Sequence, residues 1–445
     1  MEIDNNTLSL DMVRAEKNSD SSGVWEFSEL DLACMKMYLR GTWIYDSVLD
    51  IDNLKSSLSK LLTYYQLLAG RVNTKRTGLV FTNRGVPFIV KEEPEISVND
   101  IQKADKWAER FTTSLNIDEL KKGNIAPMNV TVTMLKDGTV LSVQCTHGCV
   151  DGGSFYNLVN DWSKLSRNEE ILKPVFNQSM FATEQTMSKV EVLQSVTSQG
   201  WKKVTFSTIL KMYLMSMTGI DDEKTNPFYF SPDSIERLKK EISAECGFKC
   251  STNIALSALI GKMYTILNDL PADTEYTEAV VANLRNRFEG IPDGFFGNAS
   301  TAIPTAPFKR TSTLSEIAKI IHDSLNPMLQ GSTKKVTDFF LLNLAAMNAK
   351  LPYASIDLDS MNSRKPLSFY NNNFSKLPIY TVDFGNGEPK MVIPHNLSNH
   401  QMLIWPVSSS VKDGLEIYFS GLFAHLINKL PKNDTWLLEM KKFEK

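Results

Sequence analysis

The sequence lacks the long apolar runs and the targeting segments that define several large classes of protein. No apolar run approaches the roughly 20 residues that a transmembrane helix needs. The first residues, Met1 to Asn6, are acidic and polar, without the basic and apolar regions of a secretory signal. We therefore expect a cytoplasmic protein with no membrane span.

A large excess of charge of one sign is also missing. The net charge is −3 over 445 residues, and the lysines occur in scattered pairs rather than in a basic block. This composition does not predict a nucleic-acid partner. The hydrophobic content of 42% and charged content of 22% are ordinary for a globular protein, and the length is sufficient for two domains.

Cysteine and histidine are scarce, with five residues of each. The odd number of cysteines favours reduced thiols. Neither Cys145-x3-Cys149 nor Cys246-x3-Cys250 has the CxxC spacing of a zinc site, and no histidine cluster completes one, so we expect no metal. Cys149 lies near His147 but has no separate base, so we interpret it as a small buried residue rather than a nucleophile.

The most informative segment is His147-Gly-Cys-Val-Asp151-Gly152-Gly153. This histidine alone is followed by aspartate four positions later and then by two glycines. Imidazole titrates near neutrality, so a positioned histidine can take a proton and return it. Paired glycines allow backbone or ligand to approach closely. Because HxxxD also arises by chance around structural histidines, the interpretation needs support from other segments.

The flanking periodicity places this segment between a strand and a helix. Apolar residues alternate on both sides of an Asp-Gly turn, which predicts a β-hairpin; they are Val130, Val132, Met134, Leu141, Val143 and Cys145. Beyond it, apolar residues recur at helical spacing at Phe155, Leu158, Val159, Trp162 and Leu165. We predict that His147 and Asp151 lie on the intervening turn, where a rigid scaffold presents a reactive group to a cleft.

The remaining patterns divide the chain into two α/β halves. Apolar spacing predicts helices around 53–69 and 255–267, and Ser231-Pro232 predicts the N-terminus of another. Alternation over 415–419 predicts a half-buried strand. Between about 168 and 225 the periodicity is lost. We predict a first lobe over 1–185, a crossover linker over 186–225 and a second lobe over 226–445.

Five motifs in order resemble those of the BAHD-type CoA-dependent acyltransferases. The family's HxxxDG matches His147 to Gly152, and its DFGWG matches Asp383-Phe384-Gly385-Asn386-Gly387. Three weaker elements lie at Leu58–Arg71 (LSKLLTYYQLLAGR), at Phe230-Ser-Pro and at Arg285-Asn286-Arg287 through Phe296-Gly297-Asn298-Ala299. The resemblance runs from about Leu54 to about Phe419. The chain departs from the family where Asn386 replaces tryptophan, Gln66 replaces proline and Leu284 replaces glycine.

The resemblance implies two chloramphenicol-acetyltransferase-like lobes with an active-site channel between them and His147 at its centre. It implies an acyl-CoA co-substrate, no permanently bound cofactor, a small-molecule hydroxyl or amine acceptor and a monomeric enzyme. His147 would act as general base in direct transfer, without an acyl-enzyme. Asp151 belongs with His147 to the candidate catalytic motif, but its side chain would point away from the reaction and pair with Arg285; the alternative is that Arg285 and Arg287 are surface charges.

The resemblance also assigns the later motifs. Asp383, Gly385 and Gly387 would form a structural loop that Asp383 caps; an ordinary turn after a strand Ile379–Val382 is nearly the same interpretation. Asn298 and Asn386 would contact CoA or the other substrate.

Two other classes of protein stay open. A condensation-type domain joins carrier-bound acyl groups to amines on a related fold, but that class usually shows HHxxxDG, and the first histidine is Thr146 here. A non-catalytic binding protein that keeps the fold is the third interpretation.

Overall fold

A computed structural model describes residues 6–17, 23–101, 107–176, 188–217, 225–287, 291–326, 342–347, 349–361, 366–394, 401–407 and 413–443. Its labelled helices are α1 Glu29–Cys34, α2 Ile51–Tyr64, α3 Trp107–Arg110, α4 Ile117–Lys121, α5 Gly152–Ser166, α6 Lys189–Ser198, α7 Phe206–Ser216, α8 Pro232–Cys246, α9 Thr252–Asn268, α10 Leu314–Asn326, α11 Leu358–Met361, α12 Leu422–Asn428 and α13 Thr435–Phe443. Short 3₁₀ turns cover Gln66–Ala69 and Val98–Asp100.

The strands are β1 Thr7–Val13, β2 Val24–Glu26, β3 Tyr38–Tyr45, β4 Arg71–Val72, β5 Gly78–Val80, β6 Val86–Glu93, β7 Met128–Leu135, β8 Thr139–Thr146, β9 Lys202–Lys203, β10 Phe228–Phe230, β11 Glu275–Asn283, β12 Ser300–Pro304, β13 Phe308–Lys309, β14 Tyr353–Ala354, β15 Ser368–Asn373, β16 Met391–Pro394, β17 Gln401–Pro406 and β18 Leu415–Phe419.

The first lobe is built on a sheet in the order β1-β6-β7-β8-β3-β16. The predicted hairpin is β7-β8, with Val130 opposite Val143 in antiparallel register. Alternate side chains of the hairpin are fully buried with the apolar faces of α2 and α5. Burying each large apolar side chain contributes roughly 1.5–3 kcal/mol, so this interface fixes the position of the strand that leads to His147.

The second lobe is built on a sheet in the order β10-β18-β17-β15-β11-β12, with β13 also paired to β11. Helices α8, α9, α10, α12 and α13 bury their apolar residues against it. Ser231 caps α8 through its Oγ atom, which accepts a hydrogen bond from the Ser234 N–H at 3.1 Å, and Pro232 occupies the first turn, as predicted. Two sheet-and-helix lobes confirm the predicted fold class.

The second half of the chain contributes to the first lobe. Strand β16 pairs with β3, placing Val392 opposite Trp43. Phe374, Tyr380, Phe384 and other residues of 374–394 are buried in the first lobe's core. The second half of the chain therefore contributes side chains to both hydrophobic cores.

The predicted strand Ile379–Val382 is wrong, because the structure has irregular backbone there. Its carbonyl groups bind side chains rather than a neighbouring strand. The Trp43 indole donates to Ile379 O at 2.9 Å, and the Tyr45 hydroxyl donates to Val382 O at 2.8 Å. The sheet edge beside β3 is taken by β16 instead.

The crossover region contains regular structure that its sequence did not predict. Helices α6 and α7 lie within 188–217, and β9 pairs with β14. Val192, Val196 and Trp201 pack against Leu342 and Ala346 in a small separate core. The predicted boundary between 185 and 186 lies outside the described residues.

Candidate active site

The segment that carries His147 is a tight turn between β8 and α5. The His147 N–H donates to Met37 O at 2.9 Å, and the Cys149 N–H donates to Thr146 O at 3.2 Å. Asp151 then caps α5, since its Oδ1 atom accepts the Ser154 N–H at 2.8 Å. This is the strand-turn-helix arrangement that the sequence predicted, and it leaves the His147 side chain half-buried.

The paired glycines admit side chains from the second half of the chain. A Cβ atom on Gly152 would lie 3.2 Å from the Phe374 ring. A Cβ atom on Gly153 would lie 3.2 Å from Arg285 Nη1. Both contacts are tighter than an ordinary van der Waals approach, so the glycines let these two side chains from the second half of the chain pack directly behind the turn that carries His147.

The imidazole of His147 is bound by an amide. Its Nδ1 atom lies 3.0 Å from Asn298 Oδ1. The Asn298 Nδ2 atom donates to Asp31 Oδ1 at 2.7 Å and to the His147 carbonyl at 2.8 Å. Because a carboxylate and a carbonyl can only accept, Nδ2 must face them, and Oδ1 must face the imidazole. In the neutral imidazole this arrangement places the proton on Nδ1 and leaves Nε2 without a hydrogen.

Asp151 and Arg285 form a bidentate ion pair. Arg285 Nη1 lies 2.8 Å from Asp151 Oδ2, and Nη2 lies 3.0 Å from Oδ1; both side chains are buried. The Ala299 N–H donates to Asp151 Oδ2 at 2.9 Å. Burial by itself raises the pKa of Asp151, but the guanidinium and the hydrogen bonds to Ser154 and Ala299 outweigh it, so the pKa lies below its ordinary value.

The remaining guanidinium donors of Arg285 are also bonded. They reach Phe295 O at 2.9 Å, Gly297 O at 3.0 Å, the Ser154 hydroxyl at 2.7 Å and Asn283 Oδ1 at 3.1 Å. The pair thus joins the first turn of α5 to the loop after β11, across the two lobes. Arg287 is exposed, and its guanidinium donates to Asn283 O at 2.9 Å.

The Asp383 loop lies against the first lobe. Asp383 Oδ1 accepts the N–H groups of Gly385 at 2.7 Å and Gly387 at 2.8 Å, and both glycines have positive φ angles. The Asp383 carbonyl accepts a hydrogen bond from Arg167. Asn386 is exposed, and its amide donates to Val48 O at 3.4 Å. The geometry of this loop is that of a capped turn, separate from the His147 network.

The thiols near His147 are buried. Cys145 and Cys149 have Sγ atoms 3.6 Å apart, and neither side chain reaches solvent. Burial raises the pKa of the Cys149 thiol well above its ordinary value, so the nucleophilic thiolate is disfavoured.

Asp31 is the site residue that sequence reasoning missed. Its carboxylate is fully buried next to Asn298, although it lies 116 positions before His147. The local sequence Ser28-Glu-Leu-Asp31 shows the pattern of a capping box. That pattern predicts the start of α1, but it contains no information about contact with a residue in the other lobe.

The described part of the chain shows neither a membrane-crossing helix nor a metal-binding cluster. No described helix is both long and apolar enough to span a bilayer. Among the described residues, no group of three or more histidine, cysteine, aspartate or glutamate side chains could hold a metal ion.

Comparison with known proteins identifies the family. The model of the transferase family matches residues 6–420. The chain therefore belongs to this family, the BAHD-type acyltransferases, as the order of its motifs predicted.

Curated relatives and solved structures agree with that assignment. The chain is 25% identical over 372 residues to the omega-hydroxypalmitate O-feruloyl transferase of Arabidopsis thaliana, covering 80% of this chain and 76% of that protein. It is 22% identical over 430 residues to a hydroxycinnamoyl-CoA:5-hydroxyanthranilate N-hydroxycinnamoyltransferase of Avena sativa, covering 91% and 93%. These similarities confirm the predicted enzyme class, an acyl-CoA-dependent O- or N-acyltransferase.

The fold has a solved counterpart with a CoA ligand. The crystal structure of F. sporotrichioides TRI101 complexed with coenzyme A and T-2 superposes with a TM-score of 0.69 at 16% identity, over 93% of this chain and 98% of that one. At this identity the likeness establishes the two-lobed fold.

Proposed function

We propose that this enzyme moves an acyl group directly from an acyl-CoA thioester to a small-molecule alcohol or amine, with His147 as general base. The observation that carries the proposal is the orientation of His147. Asn298 binds Nδ1, so Nε2 is the ring atom available for a substrate proton. A general base must lie within hydrogen-bond reach of the proton that it removes, and a fixed tautomer supplies that atom.

In the proposed reaction the acyl group moves from the CoA sulfur to the acceptor, and a proton moves from the acceptor to the CoA thiolate through Nε2 of His147. Nε2 takes the proton from the acceptor O–H or N–H as that atom attacks the thioester carbonyl carbon. The tetrahedral intermediate collapses, the carbon–sulfur bond breaks and the CoA thiolate takes the proton back from Nε2. The imidazole ends as it began, so no acyl-enzyme is required. Holding both substrates in a channel between the lobes would supply much of the acceleration through proximity.

The other predicted site residues divide between support and binding. The Asp151–Arg285 pair supports the turn that presents His147. The capped loop of Asp383, Gly385 and Gly387 is structural, and the exposed Asn386 is our candidate for contact with CoA. Asn298 was predicted to contact a substrate, but its amide already binds His147 and Asp31. We therefore assign Asn298 to the positioning of His147.

The condensation-type alternative has less support in this geometry. The position of the additional histidine in HHxxxDG is held by Thr146, whose side chain is fully buried beneath the turn. A hydroxyl in that place cannot act as a second imidazole. A non-catalytic binding protein would not need the tautomer of His147 to be fixed.

The acyl donor is proposed from the names of the relatives. Their names contain feruloyl and hydroxycinnamoyl groups, so we propose an aromatic hydroxycinnamoyl-CoA as the first donor to examine. We also propose a monomer in the cytoplasm, with no cofactor bound permanently. The five cysteines are free thiols, which suits a reducing compartment.

The test is release of free CoA thiol from feruloyl-, coumaroyl- and acetyl-CoA in the presence of a panel of alcohols and amines. Acceptor-dependent release, with a matching ester or amide in the mass spectrum, is the expected result. Product formation from a carrier-bound thioester but from no CoA thioester would support the condensation-type alternative. Binding of CoA without turnover of any pair would support the binding protein.

A further inference from the structure

Asp31 lies at the end of a hydrogen-bonded chain that leads to the catalytic imidazole. The chain runs from Asp31 Oδ1 to Asn298 Nδ2 at 2.7 Å, and from Asn298 Oδ1 to His147 Nδ1 at 3.0 Å. Two polar contacts therefore connect a carboxylate on α1 with a histidine on the turn after β8.

The other carboxylate oxygen of Asp31 is also held. Oδ2 accepts the Ser28 N–H at 2.8 Å and the Ser28 hydroxyl at 2.7 Å. The Asp31 side chain is completely buried, so its orientation is set by these groups and by packing. A carboxylate fixed in this way presents one oxygen to Asn298 with little freedom to turn.

The side-chain amide of Asn298 lies between Asp31 and His147, and its nitrogen and its oxygen play different parts. Asn298 is buried and comes from the second lobe, and the same Nδ2 atom also bonds the His147 carbonyl. An amide that donates to a carboxylate becomes a better acceptor at its oxygen, because hydrogen bonds in a chain polarise one another. The acceptor oxygen is the atom that faces His147 Nδ1.

We propose that Asp31 is a positioning residue for acyl transfer: through Asn298 it holds His147 with the proton on Nδ1 and stabilises the imidazolium that forms during the reaction. This inference rests on the proposed role of His147 as general base. Asp151 cannot take this role, since both its oxygens are bound to Arg285 and backbone N–H groups.

The surroundings of Asp31 make its charge sensitive to pH. Burial raises its pKa to about 6, although hydrogen bonds from Asn298 and Ser28 lower it in part. The titratable and charged groups around it are Cys34 on its own helix, Cys149 and the Asp151–Arg285 pair at the turn, and His147 at the other end of the hydrogen-bonded chain. Protonation of Asp31 below this range removes the negative charge that supports the imidazolium.

The test compares two capping boxes of the same kind. Asp31→Asn removes the charge next to Asn298. Asp100→Asn alters the matched box in which Asp100 Oδ2 accepts the Ser97 N–H at 2.8 Å, in the same lobe but without contact with His147. We expect Asp31→Asn to lower kcat by about 10- to 100-fold, the usual cost of a misplaced catalytic group, with KM for acyl-CoA little changed. Asp100→Asn should leave kcat within about twofold of wild type.

Two readouts separate positioning from simple loss of stability. In Asp31→Asn, the acid limb of the kcat/KM profile should move to lower pH, because an imidazolium without a nearby negative charge loses its proton more easily. Nitrogen NMR of His147 should show the Nδ1–H tautomer in the wild-type protein and a mixture in Asp31→Asn. If the variant fails to fold, the wild-type spectrum still decides, since an Nε2–H tautomer overturns the proposal.

The outcomes also distinguish this inference from the function on which it rests. Full activity of His147→Ala would overturn the general-base function, whatever Asp31 does. Loss of activity in His147→Ala, together with an unchanged kcat, pH profile and tautomer in Asp31→Asn, would overturn the role of Asp31 alone.

Discussion

Asp151 directs both carboxylate oxygens to Arg285, at N–O distances of 2.8 and 3.0 Å, while Nδ1 of His147 lies 3.0 Å from Asn298. The two prominent residues of the HxxxD motif thus have different partners on the second lobe. Histidine and aspartate are four residues apart, but their side chains bind different groups. Asp151 caps α5 and pairs with Arg285, and a separate network of hydrogen bonds contacts the imidazole.

Removing the imidazole tests the base. His147→Ala should lower kcat by about two to four powers of ten, the range for a positioned general base, with little change in melting temperature. The control is His322→Ala, since His322 also has a partner at Nδ1, Asp323 Oδ1 at 3.0 Å, but lies outside the motif. Near-normal turnover in His147→Ala, measured by thiol release, would remove His147 from the chemistry.

Direct transfer predicts the order of binding and release. Both substrates must be bound before CoA leaves, so initial rates should show a sequential pattern when donor and acceptor are varied together. Cys149→Ala should retain activity within a few fold, because the thiol is buried and its pKa is raised. A ping-pong pattern, or acylated Cys149 in the mass spectrum, would contradict direct transfer.

The buried ion pair predicts coupled effects on stability. Asp151→Asn should cost about 3–5 kcal/mol of unfolding free energy, because it leaves a buried guanidinium without its counter-charge. Arg285→Gln in the Asp151→Asn background should add much less than it costs by itself. Urea unfolding of the four proteins measures both quantities, and strictly additive effects would mean that the residues do not interact.

An exposed pair supplies the comparison for that cycle. Arg310 and Asp269 are also an arginine–aspartate pair, but their side chains are 36% and 82% exposed. Arg310→Gln should cost less than about 1 kcal/mol, since water screens the interaction. Equal losses at the two sites would show that burial does not strengthen the Asp151–Arg285 pair.

Because of the buried carboxyl of Glu278, we expect the free energy of unfolding to fall as the pH rises. It is fully buried on β11, where Oε1 accepts the Asn371 amide at 2.7 Å, and burial raises its pKa to about 8. Because the pKa is raised in the folded protein, the protonated carboxyl stabilises the fold. This contribution is fully present below about pH 4.5 and is lost as the pH rises through about 8. Glu278→Gln cannot ionise, so it should gain on the order of 2–4 kcal/mol relative to wild type between pH 5 and pH 8.

Thermal unfolding at both pH values measures that difference. Glu275→Gln, at the exposed start of the same strand, is the control and should leave the pH dependence as it is in the wild-type protein. A Glu278→Gln variant with the same pH dependence as wild type would show that Glu278 does not titrate in this range.

Local patterns in the sequence predicted the elements that depend on near neighbours. The β7-β8 hairpin, the turn with His147 and the cap of α8 are formed by residues within a few positions of one another. Turn residues, alternation and capping side chains act over that range, so they can be recognised without a structure. The order of the five motifs predicted the family.

Contacts between distant segments were decided only by the tertiary structure. Asp31 and Asn298 are 267 positions apart, and β16 completes the first lobe's sheet from the second half of the chain. Neither periodicity nor a capping residue indicates which loop of one lobe contacts which helix of the other. The packing of the two lobes brings Asn298 between Asp31 and His147, and this arrangement occupies Nδ1 of His147 and leaves Nε2 as the other ring nitrogen.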